Sequence, residues 1–328
     1  MDRAHRSRRG FLRSTAAAAG AAAAAGWLRF DASHQAQAQA HGGTRHPIRL
    51  GGPVFNMPKD PEGMALAHRK LGYRAAYCPD VALKDKERIR DIAAAFAKHD
   101  VAIAEVGRWV NLLDADPAKR ADNLKVVTEG LALAEAVGAR CCVDIAGSYN
   151  RKVWYGPDPG NYSPKFFDEV VENARKIIDA VKPTRAKFCY EMMGWAIPDS
   201  PDSYLKLIKA VDRPAFGVHL DPCNLINCPE RFYHTTALLN ECFDKLGPWI
   251  VSCHAKDLAW DVEMNLHFRE VTVGAGSIDF ATYLKRLAAL PGDAPLMIEH
   301  MAGPEEYDKA RKYLLDLGGK NGIRFETK

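Results

Sequence analysis

The chain has 328 residues, 47% hydrophobic and 26% charged, a composition that excludes a disordered polypeptide and supports a full-sized globular core. Its formal net charge of +4 comes from 45 basic against 41 acidic side chains. Six of the arginines and two of the aspartates fall in the first 40 residues, so residues 41–328 carry 39 of each sign, and nothing in the charge supports a phosphate-backbone partner.

Those first 40 residues read as an export signal. Ser7, Arg8, Arg9, Gly10, Phe11, Leu12 and Arg13 form a twin-arginine signature. Residues 16–26 are all alanine and glycine, too short and too weakly apolar to span a bilayer. Ala36-Gln37-Ala38 and Ala38-Gln39-Ala40 are small-x-small sites suited to a signal peptidase. The expectation is delivery of a folded protein to the periplasm by the twin-arginine machinery, with no stable membrane insertion after cleavage. The chain then divides into a signal peptide (1–40), a short lead (41–47), one domain (48–320) and a tail (321–328).

From residue 48 a strand-then-helix pattern recurs eight times. Predicted strands are 48–55, 73–77, 101–106, 140–145, 187–191, 215–220, 249–254 and 295–299. They are short runs rich in Val, Ile, Tyr and Cys with little alternation, as expected of strands buried on both faces. Amphipathic helices are predicted at 117–137, 163–181, 203–211, 230–246, 279–290 and 305–317, the first ended by Gly138 and the second by Lys182-Pro183. Strict alternation argues a parallel sheet, and eight units favour closure into an α/β (β/α)₈ TIM barrel. No G-x-G-x-x-G follows the first strand, so a dinucleotide fold has no support. Two loops are longer than a barrel needs, 147–162 and 258–279; both leave the strand ends where such barrels carry their chemistry.

Eight cysteines in an exported protein raise the question of disulfides. Cys141, Cys142, Cys189 and Cys253 fall inside predicted strands, where a free thiol packs as a small hydrophobe. There is no C-x-x-C, and Cys223 with Cys228 is the only local pair to consider.

Four consecutive strands end in metal-friendly side chains: Glu191, Asp221, His254 and Glu299, spaced 30, 33 and 45 residues apart. A βαβ unit takes about 30 residues or more. The four groups therefore sit at the same end of successive parallel strands. Three carboxylates and one imidazole suit one divalent ion, with Mn²⁺ favoured and Co²⁺ or Mg²⁺ also accommodated; the lack of thiolates argues against structural Zn²⁺.

With these residues in hand the chain resembles the xylose isomerase-like TIM barrel family, which takes in sugar isomerases and epimerases, inosose dehydratases and, more distantly, the endonuclease IV group. The resemblance covers about residues 48–318. It rests on Glu191, Asp221, His254 in H-x-K-D, Glu299, and the G-x-G-x-I-D-F turn at 274–280. It implies a divalent ion held by this Glu–Asp–His–Glu set, with Glu191 and Glu299 also exchanging protons with substrate carbon. One departure matters: ketose 3-epimerases carry a His three residues after the strand-six Asp, and here that position is Asn224. The endonuclease branch uses a richer His set and several metals.

Such a site fits abstraction of a proton beside a polarised carbonyl, the first step shared by epimerisation and β-elimination. The leading expectation is thus a metal-dependent isomerase or epimerase of a sugar or keto-sugar. The alternatives are a lyase or dehydratase acting on a 3-oxo-sugar, 3-oxo-glycoside or inosose, and a non-catalytic sugar-binding barrel. The expected partner is a small carbohydrate, not nucleic acid, and a homo-oligomer is compatible with the fold. His219, Lys256, Glu105, Asn224, Arg269 and Trp109 are the candidate substrate contacts. Each has a plainer alternative: His219 as a core histidine, Lys256 in an ion pair with Asp257 or Glu105, and Trp109 as core packing, as for Trp154, Trp195 and Trp260. Asp144 and His267 are weaker candidates for hydroxyl and lid contacts.

Overall fold

Eight short strands pair in parallel and close on themselves. In chain order the strands are β1 (Leu50–Gly51), β2 (Ala75–Tyr77), β3 (Ala102–Gly107), β4 (Cys141–Ile145), β5 (Lys187–Glu191), β6 (Phe216–Leu220), β7 (Ile250–Ala255), β8 (Asp257–Trp260), β9 (Phe268–Val271) and β10 (Leu296–Ile298). The barrel runs β1-β2-β3-β4-β5-β6-β7-β10 and returns to β1, while β8 and β9 form a separate antiparallel hairpin. This computed structural model describes residues 46–327, so the twin-arginine segment and the lead as far as residue 45 lie outside the described residues. Every position of β4 and β6 is buried, which accounts for their lack of alternation. Among the described residues no helix is long and apolar enough to cross a membrane.

The helices are α1 (Pro61–Lys70), α2 (Lys86–Lys98), α3 (Pro117–Val137), α4 (Pro164–Val181), α5 (Pro201–Val211), α6 (Pro229–Tyr233), α7 (Thr235–Leu246), α8 (Phe280–Ala288) and α9 (Pro304–Lys320). Four begin with an Asp-Pro or Ser-Pro pair. Asp60, Asp116, Ser163 and Ser200 each accept a backbone N–H of the first turn, and the proline that follows needs no partner for its nitrogen. Gly138 ends α3 at φ 79° and Lys182 ends α4 at φ 53°.

The single helix expected over 230–246 is two. The chain breaks at His234, because the Thr235 hydroxyl donates to Ser277 O and accepts from Asp279 N, tying the start of α7 to the turn before α8. The first strand, expected over 48–55, is reduced to Leu50–Gly51. Pro53 has no N–H for a ladder, and a Cβ at Gly51 would lie 2.4 Å from Met297 Sδ and 2.6 Å from Ala75 O, so the chain approaches its neighbours where only glycine fits. The C-terminal tail is not loose there: Ile48 N donates to Arg324 O and Glu326 N to Ile48 O. Arg49 and Arg140 meet on Asp293, binding together the barrel end opposite the candidate site. All eight cysteines are free, including Cys223 and Cys228.

Candidate functional site

Barrel register brings the four strand-end groups together. Glu191 is the last residue of β5, Asp221 follows β6, His254 lies near the end of β7 opposite Met297, and Glu299 follows β10. One donor atom from each lies within 4.8 Å of all the others. His254 Nδ1 is 3.0 Å from Glu299 Oε2 and 3.5 Å from both Glu191 Oε1 and Asp221 Oδ2. Asp221 and His254 are fully buried. His254 Nδ1, Asp221 Oδ2 and Glu299 Oε2 make no well-aligned hydrogen bond, a costly state for buried polar atoms unless something else satisfies them. Three oxygen donors and one imidazole nitrogen aimed at one point fit a divalent cation.

Lys256 shares this centre. Its ammonium lies 2.8 Å from Glu299 Oε2, 2.9 Å from Asp221 Oδ2 and 3.3 Å from Glu191 Oε1. The ion pair with Asp257 or Glu105 is therefore replaced by one with three of the proposed ligands. Burial works against every charge here, yet the neighbours win. Asp221 is held far below the usual carboxylate range by Lys256 and His254, and Glu299 by His254 and Lys256. Burial alone would lower Lys256, but Asp221, Glu191 and Glu299 raise it above its ordinary value. With His254 neutral, as a ligand imidazole must be, three carboxylates and one ammonium leave two negative charges, which a divalent ion would neutralise.

Asp257 has a different task. Its carboxylate accepts from the backbone N–H groups of Gly274, Gly276, Ile278 and Leu258, stapling the end of the hairpin to the barrel. A Cβ on Gly276 would sit 2.2 Å from Asp257 Oδ1. This gives the H-x-K-D and G-x-G-x-I-D-F segments one physical reason: the aspartate of the first caps the turn of the second.

The remaining candidates separate by position. Asn224 donates to Glu191 Oε1 at 2.7 Å and to Met192 O at 3.1 Å, so it orients a proposed ligand. Glu105 and His219 are buried behind His254, whose ring meets that of His219 edge-on at 4.1 Å. Trp109 is 43% exposed and, with Tyr77, Arg108, Glu105 and Glu299, lines a cavity of about 290 Å³. Asp144 is fully buried and accepts from Val110 N and Ile145 N; burial pushes its carboxyl well above the usual range. Arg269 and His267 are not brought to the cluster. They pair on the hairpin with Asp261 and Glu263. Trp260 packs with Phe232 and Phe268, and Trp195 lines an outer pocket with Tyr162.

His300 is a mouth residue that sequence reasoning missed. Its Nδ1 lies 2.8 Å from Glu270 Oε2 on β9, its Nε2 3.7 Å from Glu299 Oε2, and its backbone adopts φ 58°. Only its adjacency to Glu299 marks it in the sequence. The left-handed turn that aims it and the hairpin that supplies Glu270 are tertiary facts.

The structure is similar to several solved ones. A xylose isomerase-like TIM barrel protein from Mycobacterium smegmatis in complex with magnesium is 18% identical at a TM-score of 0.57, covering 84% of this chain and 97% of that one. The 3-keto-D-glucoside 4-epimerase of E. coli, in apo form, is 14% identical at 0.59, covering 82% and 99%. A probable 3-DHS dehydratase from Bacillus anthracis, involved in petrobactin synthesis, is 13% identical at 0.60, covering 82% and 98%. At these identities the likeness is one of fold. Comparison with curated proteins gives no match. The family model described as xylose isomerase-like TIM barrel matches residues 66–317.

Proposed function

This chain belongs to the xylose isomerase-like TIM barrel family, and on that premise we propose that it is a divalent-metal-dependent isomerase or epimerase of a sugar or keto-sugar. The observation that carries the reading is the convergence of Glu191, Asp221, His254 and Glu299 on one buried point, their charge only partly offset by Lys256. Glu191, Asp221, His254 and Glu299 would hold the ion, Mn²⁺ by preference, and it would supply Lewis acidity toward a substrate carbonyl. Glu191 and Glu299 come from β5 and the end of β10, on different sides of the cluster. One takes the proton from carbon and the other returns it. Asn224 holds the Glu191 carboxylate in place. Lys256 offsets negative charge that develops on the substrate oxygen. Trp109 offers an aromatic face at the cavity wall for a sugar ring.

A second reading, elimination from a 3-oxo-sugar, 3-oxo-glycoside or inosose, is favoured by Asn224. It stands where ketose 3-epimerases carry histidine and is committed to Glu191 and Met192. A non-catalytic sugar-binding barrel has less support, because binding alone calls for neither carboxylate base. Delivery to the periplasm by the twin-arginine route belongs to the same proposal and rests on residues 7–13 and the small-x-small sites.

Incubation of the Mn²⁺-loaded protein with a panel of ketoses and 3-oxo-glycosides in D₂O tests the reading. Deuterium gain without loss of mass supports isomerisation, and an unsaturated product supports elimination. Absence of both across the panel would overturn it.

A further inference from the structure

The two nitrogens of His254 face opposite ways. Nδ1 points to Glu191, Asp221 and Glu299, and Nε2 lies 3.2 Å from Glu105 Oε1. His254 is fully buried and Glu105 only 2% exposed, so the bond lies inside the barrel. A neutral imidazole carries one N–H, and which nitrogen bears it depends on the partner. An ionised carboxylate only accepts hydrogen bonds. Facing Nε2, it places the proton there and leaves the Nδ1 lone pair free toward the ligand cluster.

Glu105 is itself held from behind. Ser252 Oγ donates to Glu105 Oε2 at 3.2 Å, and His219 Nδ1 lies 3.4 Å from the same oxygen. Ser252 and His254 share one face of β7, and Glu105 reaches them from β3 across the barrel interior. Sequence distance hides the arrangement: Glu105 lies 149 residues from His254.

We propose that Glu105 is a positioning residue for the metal centre, fixing the orientation and tautomer of His254 so that Nδ1 serves as the ligand atom. The proposal rests on the metal reading above and extends it to a residue outside the ligand set. It also gives the buried histidine pair a purpose: His219 packs edge-on against His254 and flanks the carboxylate that steers it.

Calorimetric titration of metal-free wild type, Glu105→Ala and Glu105→Gln with Mn²⁺ tests it, each alongside the melting temperature of the metal-free protein and the Mn²⁺ paramagnetic resonance spectrum. Loss of such an outer partner weakens metal affinity by about 10–100-fold. Glu105→Ala should show that loss with an altered spectrum. Glu105→Gln keeps an acceptor oxygen without the charge and should fall between Ala and wild type. If Ala does not fold, a weaker Kd in Gln still supports the proposal. Wild-type affinity in Glu105→Gln together with a lowered metal-free melting temperature in Glu105→Ala assigns Glu105 to packing and overturns it. Wild-type affinity in both variants would overturn the Glu105 role while leaving the metal reading intact. Absence of Mn²⁺ binding in wild type removes both. Uptake of two ions per chain would place metal between Glu105 and the histidines and also overturn the positioning role.

Discussion

Replacing Lys256 by Met separates the charge of this side chain from its volume. The ammonium lies 2.8, 2.9 and 3.3 Å from three carboxylates and is only 4% exposed. Removing one partner of such a buried ionic group costs about 3–5 kcal/mol. For a domain of this size that is a fall of about 6–10 °C in Tm. A bound divalent ion supplies the missing charge, so the loss should be smaller in the loaded protein. If the ion recovers half of it, linkage requires Mn²⁺ to bind Lys256→Met more tightly than wild type by about 1.5–2.5 kcal/mol, roughly ten- to sixtyfold. The kcat should nevertheless fall, because the charge that offsets the developing oxyanion is gone. Thermal unfolding with EDTA and with Mn²⁺, a calorimetric Kd and a steady-state assay give the three readings. Equal destabilisation in both states, or weaker Mn²⁺ binding by the variant, would show that Lys256 props the site and does not share its charge with the ion.

Other perturbations probe other links. Glu191→Gln and Glu299→Gln keep an oxygen for the ion and remove the base, so kcat should drop by about 10²–10⁴-fold in steady-state assays; wild-type kcat in both would send the search for the base elsewhere. Glu135 accepts from Thr184 Oγ, Arg185 N and Ala186 N, binding the end of α3 to the approach to β5. Burial pushes its carboxyl up, but these donors hold it at about 2 against an ordinary 4.5. The ionised form is the one that stabilises the fold, so in denaturation at stepped pH Glu135→Gln should be less stable than wild type above about pH 4.5. The difference should shrink as pH falls toward 2, and a constant gap would contradict the assignment. Replacing Arg8 and Arg9 by Lys should retain the precursor in the cytoplasm with its activity unchanged; undiminished periplasmic delivery on fractionation would refute the export reading.

What could be read from the sequence was whatever local pattern carries. Buried-strand composition located the eight barrel strands, and equal strand ends assembled Glu191, Asp221, His254 and Glu299, because a closed parallel barrel turns chain order into spatial order. What escaped depends on contacts between distant segments. The 258–279 segment read as a loop because its strands have four residues each and pair only with one another. The break at His234 needs Thr235 bonded to Ser277 and Asp279. Side-chain parity placed Lys256 on the inner face but could not choose its partners, since Asp257 is nearer in sequence and is claimed instead by backbone N–H groups of the 274–278 turn. The Glu105–His254 bond spans the barrel interior, and no periodicity reports it.

Every role proposed for Glu191, Asp221, His254 and Glu299 requires a cation bound at one place. Equilibrium dialysis of EDTA-stripped protein against Mn²⁺, with bound metal measured by elemental analysis, tests it most directly. Wild type should take up one ion per chain, and Asp221→Ala and His254→Ala should lose most of that binding while remaining folded. No uptake by wild type, or full uptake by both variants, would rule out a metal centre at these four residues.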